Sequence, residues 1–180
     1  MVSVIRSIKP YWVFLIIARK MGWNIPQEKT VEVGKNQPLA KNWNRKTFIY
    51  CSKDKKSFNR IPKEYQPLMR PLLGKVIGEF TCDNVIKAEQ GHYGDLNRAG
   101  AKIDSVELLN YANDKPLYGW HISNLKIYDK PKDLSEFRKL GKEYHDIREN
   151  EKGYLTFLDG YIEGEFLTHP PQTWCYTEVE

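Results

Sequence analysis

The sequence has little cysteine and no long hydrophobic run. Its three cysteines, Cys51, Cys82 and Cys175, are widely spaced and form no CxxC pair, so neither a disulfide framework nor a zinc site is indicated. A reducing, cytoplasmic setting fits this pattern best. The apolar run at 11–18 is shorter than the roughly 20 residues that a membrane span needs. We predict a buried helix there and no membrane contact.

Recognised catalytic motifs are missing as well. The sequence contains no GxGxxG, no P-loop, no HExxH and no GxSxG, which argues against the enzyme classes that depend on those motifs. Its four histidines are dispersed and give no metal-binding signature. We therefore expect neither a metal nor a cofactor.

Aromatic residues and positive charge are what the sequence has in excess. Among 180 residues, 28 Lys and Arg face 23 Asp and Glu, for a formal charge of +5. This balance favours a polyanionic partner such as nucleic acid. The 11 Tyr and 5 Trp combine a flat apolar face with a polar group, which suits them to interfaces.

Alternating and periodic segments predict the fold class. About six strands with helices between them indicate an α+β architecture around a small β-barrel, as one domain over 1–180. The charged, glycine-containing segment 141–165 is either an insertion at one end of the barrel or a lid over a cleft. The predicted strands are 2–8, 28–35, 47–51, 74–82 with a continuation to 87, 117–128 and 173–178, and the predicted helices are 10–21, 133–140 and one that starts at 104.

The strand EKTVEVGK, residues 28–35, carries lysine and glutamate close together. If Lys29 is buried beside Glu32, its pKa falls towards that of a base or nucleophile. Glu32 is also suited to accept a hydrogen bond from a base edge. The alternative is an exposed salt bridge worth at most about 1 kcal/mol. The strand period of two places Thr30 with Glu32 and puts Lys29 on the opposite face, unless a bulge turns it.

Aromatic residues cluster with polar ones in KPYW, YGWH and PPQTW. Single-stranded bases stack on such rings, although a core position is as good an interpretation for each ring and the better one for Trp12. Lys9, beside a helix start, is a candidate phosphate ligand because helix N-termini favour anions. The other candidates in these clusters are Tyr11, Tyr118, Trp120, His121, Gln172 and Trp174.

Five blocks together make the chain resemble the ASCH domain family of the PUA-like superfamily, especially its short bacterial and prophage-encoded members. They appear in family order over nearly the whole chain: SIKPYW at 7–12, EKTVEV at 28–33, GKVIGEF at 74–80, GWHISNLKIYDKP at 119–131 and PPQTWCY at 170–176. The resemblance implies a compact β-barrel with a cleft beside the first helix and the lysine strand. It also implies binding of RNA or other nucleic acid, and some members are similar to a cytidine deacetylase or a proposed ribonuclease.

The lysine strand departs from the family pattern at one position. Lys29, Thr30 and Glu32 match that pattern, but Gly34 stands where arginine is usual. Lys35 is the candidate to supply the missing cation from a shifted position, although an ammonium lacks the planar fork of a guanidinium. Deacetylase-like members carry threonine where this chain has Glu32, which argues against the same reaction here.

Two functions of different class follow from the sequence. The first is a nucleic-acid-binding module that uses a basic, aromatic-lined cleft, with RNA as the favoured ligand. The second is a hydrolase of RNA or of a modified nucleoside, with Lys29 activated and Glu32 as its acid/base partner. A small-molecule or protein-interaction domain stays open because a fold does not fix a function. The cleft residues we expect are Lys9, Tyr11, Trp12, Lys29, Thr30, Glu32, Lys35, Tyr118, Trp120, His121, Gln172 and Trp174.

Overall fold

The computed structural model describes residues 2–37, 45–139, 143–149, 155–161 and 164–178. Its strands are β1 (Val2–Ile8), β2 (Val31–Gly34), β3 (Arg45–Cys51), β4 (Lys75–Ala88), β5 (Leu117–Lys132), β6 (Arg138–Lys139), β7 (Glu143–Glu149), β8 (Leu155–Tyr161) and β9 (Trp174–Glu178). Its α-helices are α1 (Pro10–Ile17), α2 (Lys55–Phe58), α3 (Gln66–Met69), α4 (Gly94–Arg98) and α5 (Ser105–Ala112), and short 3-10 turns cover Arg70–Leu72 and Leu134–Glu136.

Seven of these strands form one mixed sheet in the order β2-β5-β4-β3-β1-β9-β6. The pairing of β1 with β3 is parallel, whereas the other strand pairs of the sheet are antiparallel. The sheet curls into a half-barrel with the helices around it, which confirms the predicted α+β class. Strands β7 and β8 pair only with each other among the described residues. They account for most of segment 141–165, whose role as lid or insertion stays a prediction.

Helix α1 is the apolar run that the sequence predicted to be buried. Pro10 occupies its first position, where the proline ring is already shaped for a helix. All residues from Val13 to Ile17 are buried, and they pack with Ile77 and Phe80 of β4 in the main core. The helix ends four residues before Met21, and Gly22 then turns the chain with a φ of +69°. No helix in the described ranges has the length and apolarity to cross a bilayer.

The predicted helix at 133–140 is much shorter in the structure. Asp133 and Glu136 form a capping box around one 3-10 turn, as their spacing suggests, but the chain then becomes strand β6. Phe137 is buried against Phe48 with ring centroids 5.0 Å apart, and β6 pairs with β9. Tertiary pairing therefore overrides the local helix signal, and residue 140 lies outside the described ranges.

Candidate functional site

A cleft of about 590 Å³ opens where α1, β2 and α5 approach the end of β1. Strand β1, the start of α1, β2, α5 and the chain just before β9 all contribute lining residues, and the buried residues of β1 and β2 form its floor. The lining residues are Arg6, Ser7, Lys9, Trp12, Glu32, Val33, Lys35, Ser52, Asp54, Ile103, Glu107, Leu108, Tyr111, Gln172 and Thr173.

Three charged side chains meet beneath this cleft, and all three are buried. Glu32 lies between Lys29 and Arg6: its Oε2 is 3.5 Å from Lys29 Nζ, and its Oε1 is 3.8 Å from Arg6 Nη2. The exposed fractions are 6% for Glu32, 1% for Lys29 and 3% for Arg6. Desolvation of such groups is costly, so a buried ionic triad beside an open cleft points to a role beyond folding.

Lys29 reaches Glu32 because it lies just before the strand. Strand β2 starts at Val31, so the alternation of a strand does not govern the side chain of Lys29. The Lys29 amide donates to the Leu15 carbonyl of α1 at 3.1 Å, which turns the side chain inward. Its Nζ donates to the Ala101 carbonyl at 2.7 Å and lies 5.0 Å from the centre of the Trp12 ring.

The environment of Lys29 changes its acidity. Burial lowers the pKa of Lys29 from 10.5 to about 8, and the carboxylate of Glu32 opposes that fall. Burial likewise lowers the pKa of Arg6, again against the pull of Glu32. At neutral pH Lys29 therefore remains mostly protonated, but it gives up its proton far more readily than an ordinary lysine.

We expect Lys29 to titrate near pH 8 in the native protein. The unfolded chain keeps this proton until about pH 10.5, so between pH 8 and 10.5 the unfolded state binds more protons. The free energy of unfolding of the wild type should therefore rise with pH in this window, relative to Lys29→Met. Side-chain NMR of the lysine resonance that disappears in Lys29→Met measures the pKa directly. A midpoint near 10.5, with no relative rise in stability, would contradict this expectation.

Arg6 is a candidate site residue that the sequence analysis did not single out. Its guanidinium lies 4.4 Å from the centre of the Trp120 ring. Two of its nitrogens, Nε and Nη1, are buried and have no hydrogen-bond partner in the described part of the chain, and each such group costs about 1–3 kcal/mol. The available signal was Gly34, because glycine within a strand often marks the close approach of another group.

Tyr111 is a second residue that the sequence did not single out. It projects from α5 with 38% of its surface exposed and lines the cleft. The Nζ of Lys35 lies 5.0 Å from the centre of its ring. Burial raises the pKa of the Tyr111 hydroxyl, and the charge of Arg6 opposes that rise. Tyr111 thus offers an accessible aromatic surface close to the buried triad.

Five of the predicted residues line the cleft, namely Lys9, Trp12, Glu32, Lys35 and Gln172. Lys9, Lys35 and Gln172 are exposed at its mouth. The first-turn amide of α1 does not contribute a free donor, because the Tyr11 N–H donates to Ser57 Oγ at 3.0 Å. Lys9 therefore acts through its side chain alone.

The rings at the start of α1 are already covered by a cation. The Arg60 guanidinium lies 4.2 Å from the centre of the Tyr11 ring and 4.8 Å from that of Trp12. The same guanidinium holds Glu107 through two hydrogen bonds of 2.9 and 3.2 Å. Arg60 and Glu107 thus link α5 to the start of α1.

The remaining predicted residues do not line the cleft. Thr30 donates to the Ala99 carbonyl at 3.4 Å, Tyr118 packs on the core, and His121 Nδ1 lies 2.6 Å from Asp83 Oδ1. Trp120 is buried, and its ring centre is 5.9 Å from that of Trp174. Among the described residues no group of three His, Cys, Asp or Glu side chains could hold a metal ion.

The described residues thus form an α+β protein, with a curled mixed sheet and a charged cleft beside its first helix. No family model matches the chain, and no curated protein matches it. Solved structures do: ASCH from Zymomonas mobilis has a TM-score of 0.50 at 15% identity, covering 73% of each chain. Two point mutants of that protein each have a TM-score of 0.51 at 14% identity, covering 73% of this chain and 76% and 74% of theirs.

These structures are similar to this chain in fold. The chain thus has the fold of an ASCH protein, which confirms the architecture that the sequence resemblance implied and supports that resemblance.

Proposed function

We propose that the cleft binds RNA, and that it does so by admitting a single-stranded segment. The observation that carries the proposal is the division of the cleft into a cationic, exposed mouth and a buried hydrogen-bonding floor. The phosphate backbone requires the first and an unpaired base requires the second.

The mouth carries two exposed lysines. Lys9 and Lys35 are exposed, and neither forms an ion pair with any residue in the described ranges. Of the acidic lining residues, Glu107 pairs with Arg60 and Glu32 lies between Lys29 and Arg6, whereas Asp54 accepts from the amide of Ser57 and keeps its negative charge. The two lysines are therefore available for phosphates.

The floor offers a buried acceptor. Glu32 lines the cleft, and its carboxylate lies no closer than 3.5 Å to Lys29 Nζ and 3.8 Å to Arg6 Nη2. An exocyclic amine on a base edge is a matching donor. A duplex hides these edges in base pairs, so a splayed, single-stranded base fits better. A volume of about 590 Å³ also lies within the usual size of a small-molecule pocket.

Charge reversal at the mouth tests the proposal. We expect Lys9→Glu with Lys35→Glu to weaken binding of a labelled single-stranded RNA at least about tenfold at low salt. Each phosphate contact adds roughly 0.7 to the slope of log K against log salt for single strands, so the slope should become shallower by up to about 1.4. Fluorescence anisotropy at several salt concentrations measures both quantities.

The matched control reverses two exposed lysines that do not line the cleft, Lys63 and Lys130. The overall change in charge is the same, so any difference reports the position of the charge. Equal loss of binding in both double variants would show that the cleft is not the binding surface. Undetectable RNA binding by the wild type at low salt would overturn the proposed function itself.

A second candidate function is hydrolysis of RNA or of a modified nucleoside. The observation that favours it is Lys29, whose pKa of about 8 and 3.5 Å contact with Glu32 suit proton transfer. Lys29 is itself fully buried, so Glu32 is the group that would touch substrate. Cleavage of end-labelled RNA by the wild type, lost in Glu32→Gln and in Lys29→Met, would support this function. Turnover that continues unchanged in both variants would remove it.

A further inference from the structure

We infer that Arg6 is the residue that binds an oxygen atom of the nucleotide in this cleft, and that position 34 is glycine because the guanidinium needs that volume. The inference rests on the proposed function and assigns the ligand-binding group within the same site. The ligand chemistry is a hydrogen-bond-accepting oxygen, which in a nucleotide belongs either to a phosphate or to a base carbonyl.

A side chain at position 34 would require the Arg6 guanidinium to move. A Cβ added to Gly34 would lie 2.5 Å from Arg6 Nη2 and 3.3 Å from both Cζ and Nη1. Gly34 is buried in β2 opposite Tyr118, so the strand cannot move away without losing its pairing with β5. One guanidinium therefore fits in this space, and Arg6 of β1 occupies it.

The described residues leave some hydrogen-bond donors of Arg6 without an acceptor. Arg6 lines the cleft although it is nearly fully buried. Its Nη2 is 3.8 Å from Glu32 Oε1, which is beyond hydrogen-bond distance. Its Nε and Nη1 find no acceptor anywhere in the described ranges. Native structures rarely leave buried donors unpaired, and those that do so usually have a functional reason.

The surroundings hold the guanidinium in one orientation. The Trp120 ring lies on it at 4.4 Å, and the carboxylate of Glu32 attracts it. A planar, preorganised fork loses little freedom when it binds an oxygen, and lysine does not reproduce its geometry. Arg6 is thus prepared to donate to a ligand, whereas Lys9 and Lys35 act as mobile charges at the mouth.

The test compares variants of Arg6 and Gly34 in RNA binding. We expect Arg6→Lys to weaken binding of a single-stranded RNA hexamer about 10- to 100-fold, and Gly34→Ala to weaken it because the new methyl group displaces the guanidinium. The double variant Arg6→Ala with Gly34→Arg supplies a guanidinium from the other strand, and its side chain starts at the volume that Arg6 vacates. It should bind at least about tenfold more tightly than Arg6→Ala alone.

Two matched controls lie outside the cleft. Arg70 also contacts an aromatic ring, that of Phe58 at 5.4 Å, and Arg70→Lys should leave binding unchanged. At Gly94 the nearest atom to an added Cβ is Arg98 Nη1 at 3.8 Å, which is an ordinary contact, so Gly94→Ala should also be neutral. Thermal unfolding of every variant establishes that the binding assays use folded protein.

A second measurement does not depend on RNA. Gly34→Ala should lower the melting temperature in the wild-type background but much less in Arg6→Ala, because the steric conflict is then gone. Equal effects of Gly34→Ala in both backgrounds would overturn the packing half of the inference. This comparison of melting temperatures in the two backgrounds remains informative even if Arg6→Ala binds no RNA.

Competition with inorganic phosphate and with uridine identifies the source of the oxygen. If phosphate displaces the hexamer from the wild type but not from Arg6→Lys, Arg6 binds a phosphate oxygen. If uridine does so instead, Arg6 binds a base carbonyl. The inference would be overturned if Arg6→Lys bound the hexamer as tightly as the wild type. It would also be overturned if the double variant bound the hexamer as weakly as Arg6→Ala. If the wild type binds no RNA but binds phosphate or uridine through Arg6, the proposed function fails while the inference stands. Failure to bind all three probes would overturn both.

Discussion

Glu32→Gln is expected to lower the free energy of unfolding by about 3–5 kcal/mol. The substitution preserves the size of the side chain but removes the negative charge between Lys29 and Arg6. Arg6, and Lys29 for as long as it is protonated, are then left without this counter-charge, and an uncompensated buried charge is among the most destabilising changes in a protein. Urea denaturation at pH 7 measures the loss through the midpoint and its slope.

The same variant has a predicted pH dependence. Glu32 holds the pKa of Lys29 up, so in Glu32→Gln Lys29 gives up its proton at a lower pH than the wild-type value of about 8. Between those two pH values the native wild type binds a proton that the native variant does not, so the difference in stability narrows as the pH rises through this range. Glu32→Gln should therefore recover part of its lost stability relative to the wild type at pH 9. Glu28→Gln is the matched control because Glu28 forms a partly exposed pair with Arg19 at 3.2 Å, and its loss should cost less than about 1 kcal/mol. Similar costs for the two variants would show that the triad does not depend on Glu32.

Trp120→Ala is expected to lower the free energy of unfolding by about 3–5 kcal/mol. Trp120 is 1% exposed, so truncation leaves a cavity that its neighbours cannot fill. It also removes the ring on which the Arg6 guanidinium lies and the ring contact with Trp174. Folded Trp120→Ala should therefore bind RNA more weakly than the wild type.

Trp120→Phe separates the two roles of this residue. Phenylalanine retains an aromatic face for Arg6, so we expect RNA affinity within about threefold of the wild type, a change of less than about 1 kcal/mol. Its stability should lie between those of the wild type and Trp120→Ala. Denaturation and RNA titration of the three proteins under the same conditions provide the comparison. RNA affinity that stays unchanged in Trp120→Ala would show that the ring does not position Arg6.

Local patterns in the sequence predicted most of the fold. Helix α1 could be predicted because its apolar run follows a proline, and α5 because Asp104 precedes it and accepts from the amides of Val106 and Glu107. The segment after Asp133 could not, because its outcome depends on the burial of Phe137 and on pairing with β9. Signals that involve distant partners are absent from a local pattern.

In the candidate site, too, the sequence predicts the contacts between residues that are close along the chain but not those between distant strands. Lys29 and Glu32 are close in sequence, so their pairing was visible in EKTVEVGK, although their shared side depends on where β2 begins. Arg6 lies on β1, which is separated from β2 by three strands in the sheet order. Only the curl of the sheet brings its guanidinium to Glu32. Gly34 marks that approach, but its meaning required the structure.

The most direct test of the account is to find where RNA lies on the protein. Photo-crosslinking of a single-stranded RNA that carries 4-thiouridine, followed by mass spectrometry, identifies the peptides in contact with the bases. We predict crosslinks to the cleft, at Tyr111 and at the peptide that contains Trp12, and their loss with Lys9→Glu and Lys35→Glu. Crosslinks confined to other surfaces, such as the basic segment 53–70, and unaffected by those substitutions would contradict the assignment of this cleft as the RNA-binding site.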